Sequence, residues 1–239
     1  MLDAIRRYTP QVRLLLATTF TLTLARAITL PYLVVYLSEN FALDVSGIGL
    51  MIGGALIVAS LLSLYGGYLI DTLRSYTVII ASTLTFTLAF ISAVLSRELS
   101  LFFISLVLIN LALAVVTIAA KAGFCALLPL EQRGEVFAIK YTLNNVAYAV
   151  GPFIGVALVM FDYHWPFLLS ALLGLAMCLM YRRWGERSAR AQLEGSPQAG
   201  FLSVGGQLLK DRRLICFTLG GALSAVGFGQ FTAYLSQYL

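Results

Sequence analysis

Apolar residues run along this chain in long blocks, with polar and charged residues gathered between them. A helix needs roughly 20 mostly apolar residues to cross about 30 Å of hydrocarbon. By that measure the blocks predict seven membrane spans: Leu14–Leu37, Ile48–Ile70, Tyr76–Leu95, Leu99–Ala120, Tyr141–Met160, Trp165–Tyr181 and Leu214–Leu239. The runs are continuous rather than alternating at every second residue, so helices are predicted and barrel strands are not. One charge, Arg26, interrupts the first span, and a tight turn at Arg97-Glu98 divides the third from the fourth. Between the sixth and seventh lies the polar, basic stretch Gly185–Asp211, broken by Gly195-Ser196-Pro197. Within it, Phe201–Leu209 suits a segment lying on the membrane surface. The expected division is therefore a six-helix bundle over 1–184, a cytoplasmic linker over 185–211 and a seventh span over 212–239. Arg6, Arg7 and Arg13 ahead of the first run resemble a secretory leader, but that run is too long and six more follow, so an uncleaved helix is expected.

Small residues mark where helices come close. Gly49 and Gly53, and likewise Gly151 and Gly155, are four apart and share a helix face, a spacing that permits close backbone contact. Tyr36, Tyr163, Trp165, Tyr181 and Trp184 fall near span ends, where aromatic belts sit.

Composition agrees with the pattern: of 239 residues, 60% are apolar and 11% charged. Soluble domains hold about 25% charged residues, so an ordinary soluble enzyme is excluded. The net charge of +5 suggests a nucleic-acid binder only until the positions of the sixteen basic residues are read. Fourteen of them fall on one side of the alternating spans, Arg97 alone falls on the other, and Arg26 lies within the membrane. Positive residues favour the cytoplasmic side, so the N-terminus is placed in the cytoplasm and no nucleic-acid partner is expected. Cys125, Cys178 and Cys216 are far apart and lack metal-ligand spacing. No cofactor and no metal are predicted, and His164 has no second His or Cys nearby.

Arg26 is the sharpest single feature. A cation near the middle of a span costs roughly 2.5–3.5 kcal/mol on insertion scales, so it is expected to face a watery cavity or a buried partner. Two readings stand side by side: attraction of an anionic substrate or gating of a coupling proton, and a structural hydrogen bond to a neighbouring helix. Asn110, Thr117 and Lys121 are seven and four apart on one face of the fourth span. They are candidates to line a path, with Lys121 reaching for the interface. Tyr141, Asn144, Asn145 and Tyr148 put polar groups on the fifth span, either on the path or bridging helices. No Asp or Glu lies within the spans away from their ends.

The seventh span echoes the first: Tyr234-Leu235-Ser236-Gln237 against Tyr36-Leu37-Ser38-Glu39. This suggests parallel six-helix repeats. After the second span, Gly67-Tyr68-Leu69-Ile70-Asp71-Thr72-Leu73-Arg74 is similar to the G-x-x-x-D-R-x-G-R signature of the major facilitator superfamily. Thr72, Leu73 and Ser75 depart from it. Leu128-Pro129-Leu130-Glu131-Gln132-Arg133-Gly134 resembles that family's P-x-E-x-R-G loop before helix five, and Gly151-Pro152-Phe153-Ile154-Gly155 its exporters' glycine-proline signature. Arg26, Leu30-Pro31-Tyr32 and Tyr36-Leu37 resemble the bacterial drug-efflux branch.

The resemblance implies an all-α integral membrane protein of the bacterial inner membrane: a six-helix N-terminal bundle plus the first helix of a second, apparently truncated. It implies a secondary active transporter exporting small organic solutes such as drugs or short peptides by alternating access, with protons as the coupling ion. Its partners would be lipid, a small-molecule substrate, and the missing C-terminal half or a second copy. Substrate and cavity candidates are Arg26, Asn110, Thr117, Asn144, Asn145 and Tyr148; Gly67, Asp71 and Arg74 would form a conformational switch loop; Gly151, Pro152 and Gly155 would bend or pack the fifth helix. A seven-helix receptor is the main alternative, but it would begin outside, and a retinal sensor would want a lysine in the last span. A half-size carrier acting as a dimer is another. A membrane enzyme would want clustered acids and histidines, which the chain lacks.

Overall fold

The computed structural model describes residues 2–73, 75–185, 210–213, 215–216, 218–221 and 223, with the side chains of 2–4, 71 and 72 excepted. The chain forms two compact units, Met1–Leu193 and Glu194–Leu239. In the second, the described residues between 212 and 223 are helical. Asp211 caps that helix, its carboxylate accepting from Arg213 N–H at 2.9 Å and its carbonyl from Ile215 N–H at 3.0 Å. The linker over 186–209 and the end of the predicted seventh span lie outside the described residues.

The first unit holds a short helix α1 (Leu2–Arg7) and six long ones: α2 (Pro10–Phe41), α3 (Val45–Thr72), α4 (Ser75–Leu95), α5 (Leu99–Leu127), α6 (Leu130–Val159) and α7 (Trp165–Trp184). These six are long and apolar enough to cross a membrane. Local chemistry sets their ends. Pro10 opens α2 behind Thr9, where the missing proline N–H would have been unpaired anyway. Ala42 closes α2 in the left-handed region (φ 51°), and Asp44 then caps α3 by accepting from Gly47 N–H at 3.0 Å.

Two boundaries differ from the hydropathy reading. The fourth span runs on to Leu127, and the fifth begins at Leu130 rather than Tyr141. Leu128–Gly134, expected as a loop, is therefore a helix junction. Pro129 pre-sets the backbone for α6, and Glu131 in its first turn complements the positive helix end. Lys121, Arg133 and Lys140, which fall between the predicted fourth and fifth spans, all stand on helices. Charged side chains near span ends lower the local hydropathy without interrupting the backbone hydrogen bonds, so apolar runs underestimate helix length.

Packing orders the helices as an arc, α3–α5–α4–α7–α2–α6, with α2 and α5 also touching across its inner side. This neighbour pattern survives the exchange of α2 with α5, α3 with α6, and α4 with α7. It is the arrangement of two three-helix repeats of inverted topology. The free edges of the arc are α3 and α6, whose most apolar windows are 22% and 17% buried, against 44–50% for the other four.

The core divides into two clusters along α2. One, toward its N-terminus, gathers Leu15, Leu16, Phe124, Val136 and Tyr181; the other, toward its C-terminus, gathers Tyr36, Phe86, Phe90, Phe102 and Phe167. Between them runs a band of hydroxyls. Thr18, Thr19 and Thr23 donate to carbonyls three or four residues back, at 2.7–3.2 Å, and so satisfy themselves within the helix.

The two glycine pairs part company here. A Cβ at Gly151 would lie 2.5 Å from Ala27 Cβ, and one at Gly155 would strike the Ile28 carbonyl oxygen and the Tyr32 ring. These glycines are the seam between α2 and α6. Gly49 and Gly53 meet nothing within 4 Å among the described residues, contrary to the expectation of close contact. They lie on α3, the edge of the arc, where no described helix covers them.

Candidate functional site

A cavity of about 410 Å³ lies on the inner side of the arc between its free edges, α3 and α6. Helix α2 contributes Thr23 and Arg26, α3 contributes Ser60, α5 contributes Asn110 and Thr117, and α6 contributes Asn144 and Tyr148; Leu56, Ala59 and Leu113 supply apolar wall. Five of the six residues proposed from sequence for the cavity therefore share one space: Arg26, Asn110, Thr117, Asn144 and Tyr148. Asn145 does not join them. One residue further along a helix is about 100° around it, and Asn145 is exposed away from the lining.

Arg26 is half-buried, and its guanidinium has no hydrogen-bond or ion-pair partner among the described residues. It also walls a second, smaller lobe of about 50 Å³, which shares Leu56 and Asn110 with the first. The rest of that lobe is mostly apolar: Leu30, Leu33, Ile52, Ala55, Phe90 and Phe167. Polar order around the larger cavity is set from within the helices. Asn110 Nδ2 donates to the Leu106 carbonyl at 2.8 Å. Thr23 Oγ1 donates to the Thr19 carbonyl at 2.7 Å and lies 3.5 Å from Asn144 Oδ1. No carboxylate stands among the described lining residues of either lobe.

Beyond the small lobe, toward the C-terminal end of α2, aromatic rings close the bundle. Tyr36 stacks on Phe102 with centroids 5.4 Å apart at 19° and meets Phe167 at 5.0 Å. His164 presents its ring edge-on to Tyr36 at 5.8 Å and pairs through Nδ1 with Asp162 Oδ1 at 2.5 Å. In this turn the His164 backbone N–H, and then its ring, hold the Asp162 carboxyl below the usual carboxylate range. His164 thus works as a brace between the turn and the aromatic cluster.

The other motif residues have structural positions. The Tyr32 hydroxyl donates to the Pro152 carbonyl at 3.2 Å, adding a hydrogen bond to the Gly151–Gly155 seam. Pro152 lies inside α6 and leaves the Tyr148 carbonyl without its usual helical donor. Among the described residues nothing lies within 4 Å of a Cβ built at Gly67, while Arg74 and the Asp71 side chain lie outside them. Arg133, from the P-x-E-x-R-G segment, folds back on α5: its Nε donates to the Leu128 carbonyl at 3.0 Å and its Nη2 to the Cys125 carbonyl at 2.6 Å. It closes the C-terminus of α5, where a cation also complements the helix dipole.

Sequence reasoning passed over Thr23 and Ser60 in the cavity lining, and the burial of Lys140 outside it. Thr19, Thr23 and Arg26 stand at i, i+4 and i+7, so the hydroxyls announced the face that Arg26 shares. Ser60 is one of two serines, with Ser63, in an uncharged span and gave no such sign. Lys140, which falls between the predicted fourth and fifth spans, is buried on α6 at 8% exposure.

The sequence profile of the Major Facilitator Superfamily matches residues 15–239. The chain is 31% identical over 225 residues to an uncharacterized MFS-type transporter of Escherichia coli K12, YdeE, covering 94% of this chain and 56% of that protein. It is 28% identical over 228 residues to a protein of Planococcus maritimus named as a Na⁺, Li⁺, K⁺/H⁺ antiporter, covering 87% of this chain and 53% of the relative. An uncharacterized MFS-type transporter of Bacillus subtilis 168, YqjV, is 26% identical over 223 residues, 90% of this chain and 53% of its own length. The chain thus spans about half the length of the curated relatives it matches. With six apolar helices arranged as inverted three-helix repeats around a polar cavity, the chain belongs to the Major Facilitator Superfamily, a family of membrane transporters and not of enzymes.

Proposed function

We propose that this protein is a secondary active transporter that exports small organic solutes, such as drugs or short peptides, by alternating access across a bacterial inner membrane. The observation that carries the reading is the Arg26 guanidinium, without a partner among the described residues, on the wall of the 410 Å³ cavity, with Asn110, Thr117, Asn144 and Tyr148 around it. A lone cation at mid-membrane is retained where it meets water or solute. Alternating access requires a second bundle facing the first. The exposed Asn145 on α6 supports such a covering surface, because an amide in mid-span is poorly suited to lipid. The greater length of the relatives accommodates one. A second copy of this chain is the other candidate for that wall.

Protons are the proposed coupling ion, a reading favoured by the antiporter name of the Planococcus relative. The proton's carrier would be Asp71, the substrate itself or a group in the second bundle, since the central turns of the described spans hold no acid. Asp71 and Arg74 keep the switch-loop role that the family resemblance implies. The distribution of basic residues supports a cytoplasmic N-terminus.

Inverted membrane vesicles carrying the protein test the whole reading. A proton gradient should drive fluorescent organic solutes into them, an uncoupler should abolish uptake, and Arg26→Gln or Asn110→Leu should reduce it at least tenfold. Uptake indifferent to the gradient would refute the coupling. Uptake indifferent to every cavity substitution would refute the site.

A further inference from the structure

We infer that the cavity selects a small organic anion bearing a short apolar branch, and that Lys121 and Lys140 line its approach to Arg26. This rests on the reading of the cavity as the substrate site. Lys140 stands one turn before Asn144 on α6, and Lys121 one turn after Thr117 on α5. Residues four apart share a helix face, so both lysines continue the two polar walls toward the end of the bundle that carries α1. Lys140 is buried to 8% exposure and has no hydrogen-bond or ion-pair partner among the described residues. Lys121, by contrast, is exposed on α5. A buried cation without a counter-charge is unfavourable until an anion lies near it.

From this end to mid-membrane the path therefore presents Lys140, Lys121 and Arg26, and the described lining of the cavity offers no acid in return. Such a surface repels inorganic cations and protonated amines and attracts carboxylates. Arginine adds a planar fork that grips a carboxylate with two hydrogen bonds. The adjoining lobe of about 50 Å³, walled by Leu33, Ile52, Phe90 and Phe167, sets the shape of the other end. An apolar cavity of about 150 Å³ takes a benzene ring, so this lobe suits a branch of two or three carbons.

The test uses the full chain in lipid nanodiscs and three matched compounds: isovalerate, its neutral isostere isovaleramide, and the cation isopentylamine. Binding is read by saturation-transfer NMR and by protection of Ser60→Cys from alkylation, followed by mass spectrometry at that site. Isovalerate should bind and protect; the amide should bind at least about tenfold more weakly and the amine not at all. Arg26→Gln and Lys140→Gln should each weaken isovalerate by about tenfold or more, while Arg26→Lys, which keeps the charge and controls for folding, should retain much of it. Equal or better binding of the amide or amine, or isovalerate binding unchanged by Arg26→Gln, would overturn the anion inference and leave the cavity as the site. Failure of all three compounds to protect position 60 would overturn the cavity reading, and the anion inference with it.

Discussion

Replacing Gly155 by alanine should push α2 and α6 apart. A methyl group there would run into the Ile28 carbonyl oxygen and the Tyr32 ring, while one at Gly151 would sit 2.5 Å from Ala27 Cβ and 2.8 Å from the Ala27 carbonyl carbon. Carbon atoms pack best at roughly 3.5–4.0 Å, so the helices must separate by about 1 Å. Part of the obstacle is backbone, which cannot rotate aside. Overpacking of this kind costs about 1–3 kcal/mol, and separation also weakens the Tyr32–Pro152 hydrogen bond, an interaction worth about 0.6 kcal/mol on average between membrane helices. Gly53→Ala is the matched control, because the same methyl group there meets nothing within 4 Å. It should shift stability by no more than about 0.5 kcal/mol. Unfolding in mixed detergent micelles, followed by circular dichroism, compares the two. The displacement also moves Arg26, next in sequence to Ala27, relative to Asn144 and Tyr148, so Gly155→Ala should impair solute binding as well. Equal unfolding midpoints for Gly155→Ala and Gly53→Ala would refute the seam.

Three further outcomes follow from single contacts. Ser170→Ala removes a fully buried hydroxyl that bonds the Ala25 carbonyl of α2 at 2.7 Å; it should destabilise the bundle by about 0.6–1.7 kcal/mol in the same unfolding assay. Arg133→Ala frees the Cys125 and Leu128 carbonyls and should fray the end of α5, seen as faster amide exchange over residues 125–132, while exchange in α4 stays unchanged. Because His164 lowers the folded-state value of Asp162, the order of that turn is fully present above the unfolded carboxylate range and fades as pH falls through the depressed value. Amide protection of His164 should thus hold from neutral pH down through the usual carboxylate range and fail only below it, with Asp162→Asn abolishing the dependence.

How much of the site was legible depended on how local each signal was. Arg26 declared itself because one charge in an apolar run needs no partner to be seen, and Thr19 and Thr23 share its face at helical spacing. Asn144 and Asn145 are alike in sequence, yet one lines the cavity and the other is exposed, since a single step around α6 separates facing inward from facing outward. The burial of Lys140 was not legible, because a basic residue near a span end looks like a loop charge until α6 is seen to begin at Leu130.

Six of the seven spans and membership of the superfamily were legible in hydropathy and short motifs, because each is a property of a segment by itself. The tertiary structure alone decided which of two identical glycine spacings is a seam, that Arg133 turns back to close α5, and that polar residues from four helices converge on one cavity. Those are relations between segments far apart in the chain. They depend on which faces meet, and in a helix uniformly apolar around its circumference the sequence pattern carries almost no record of that choice.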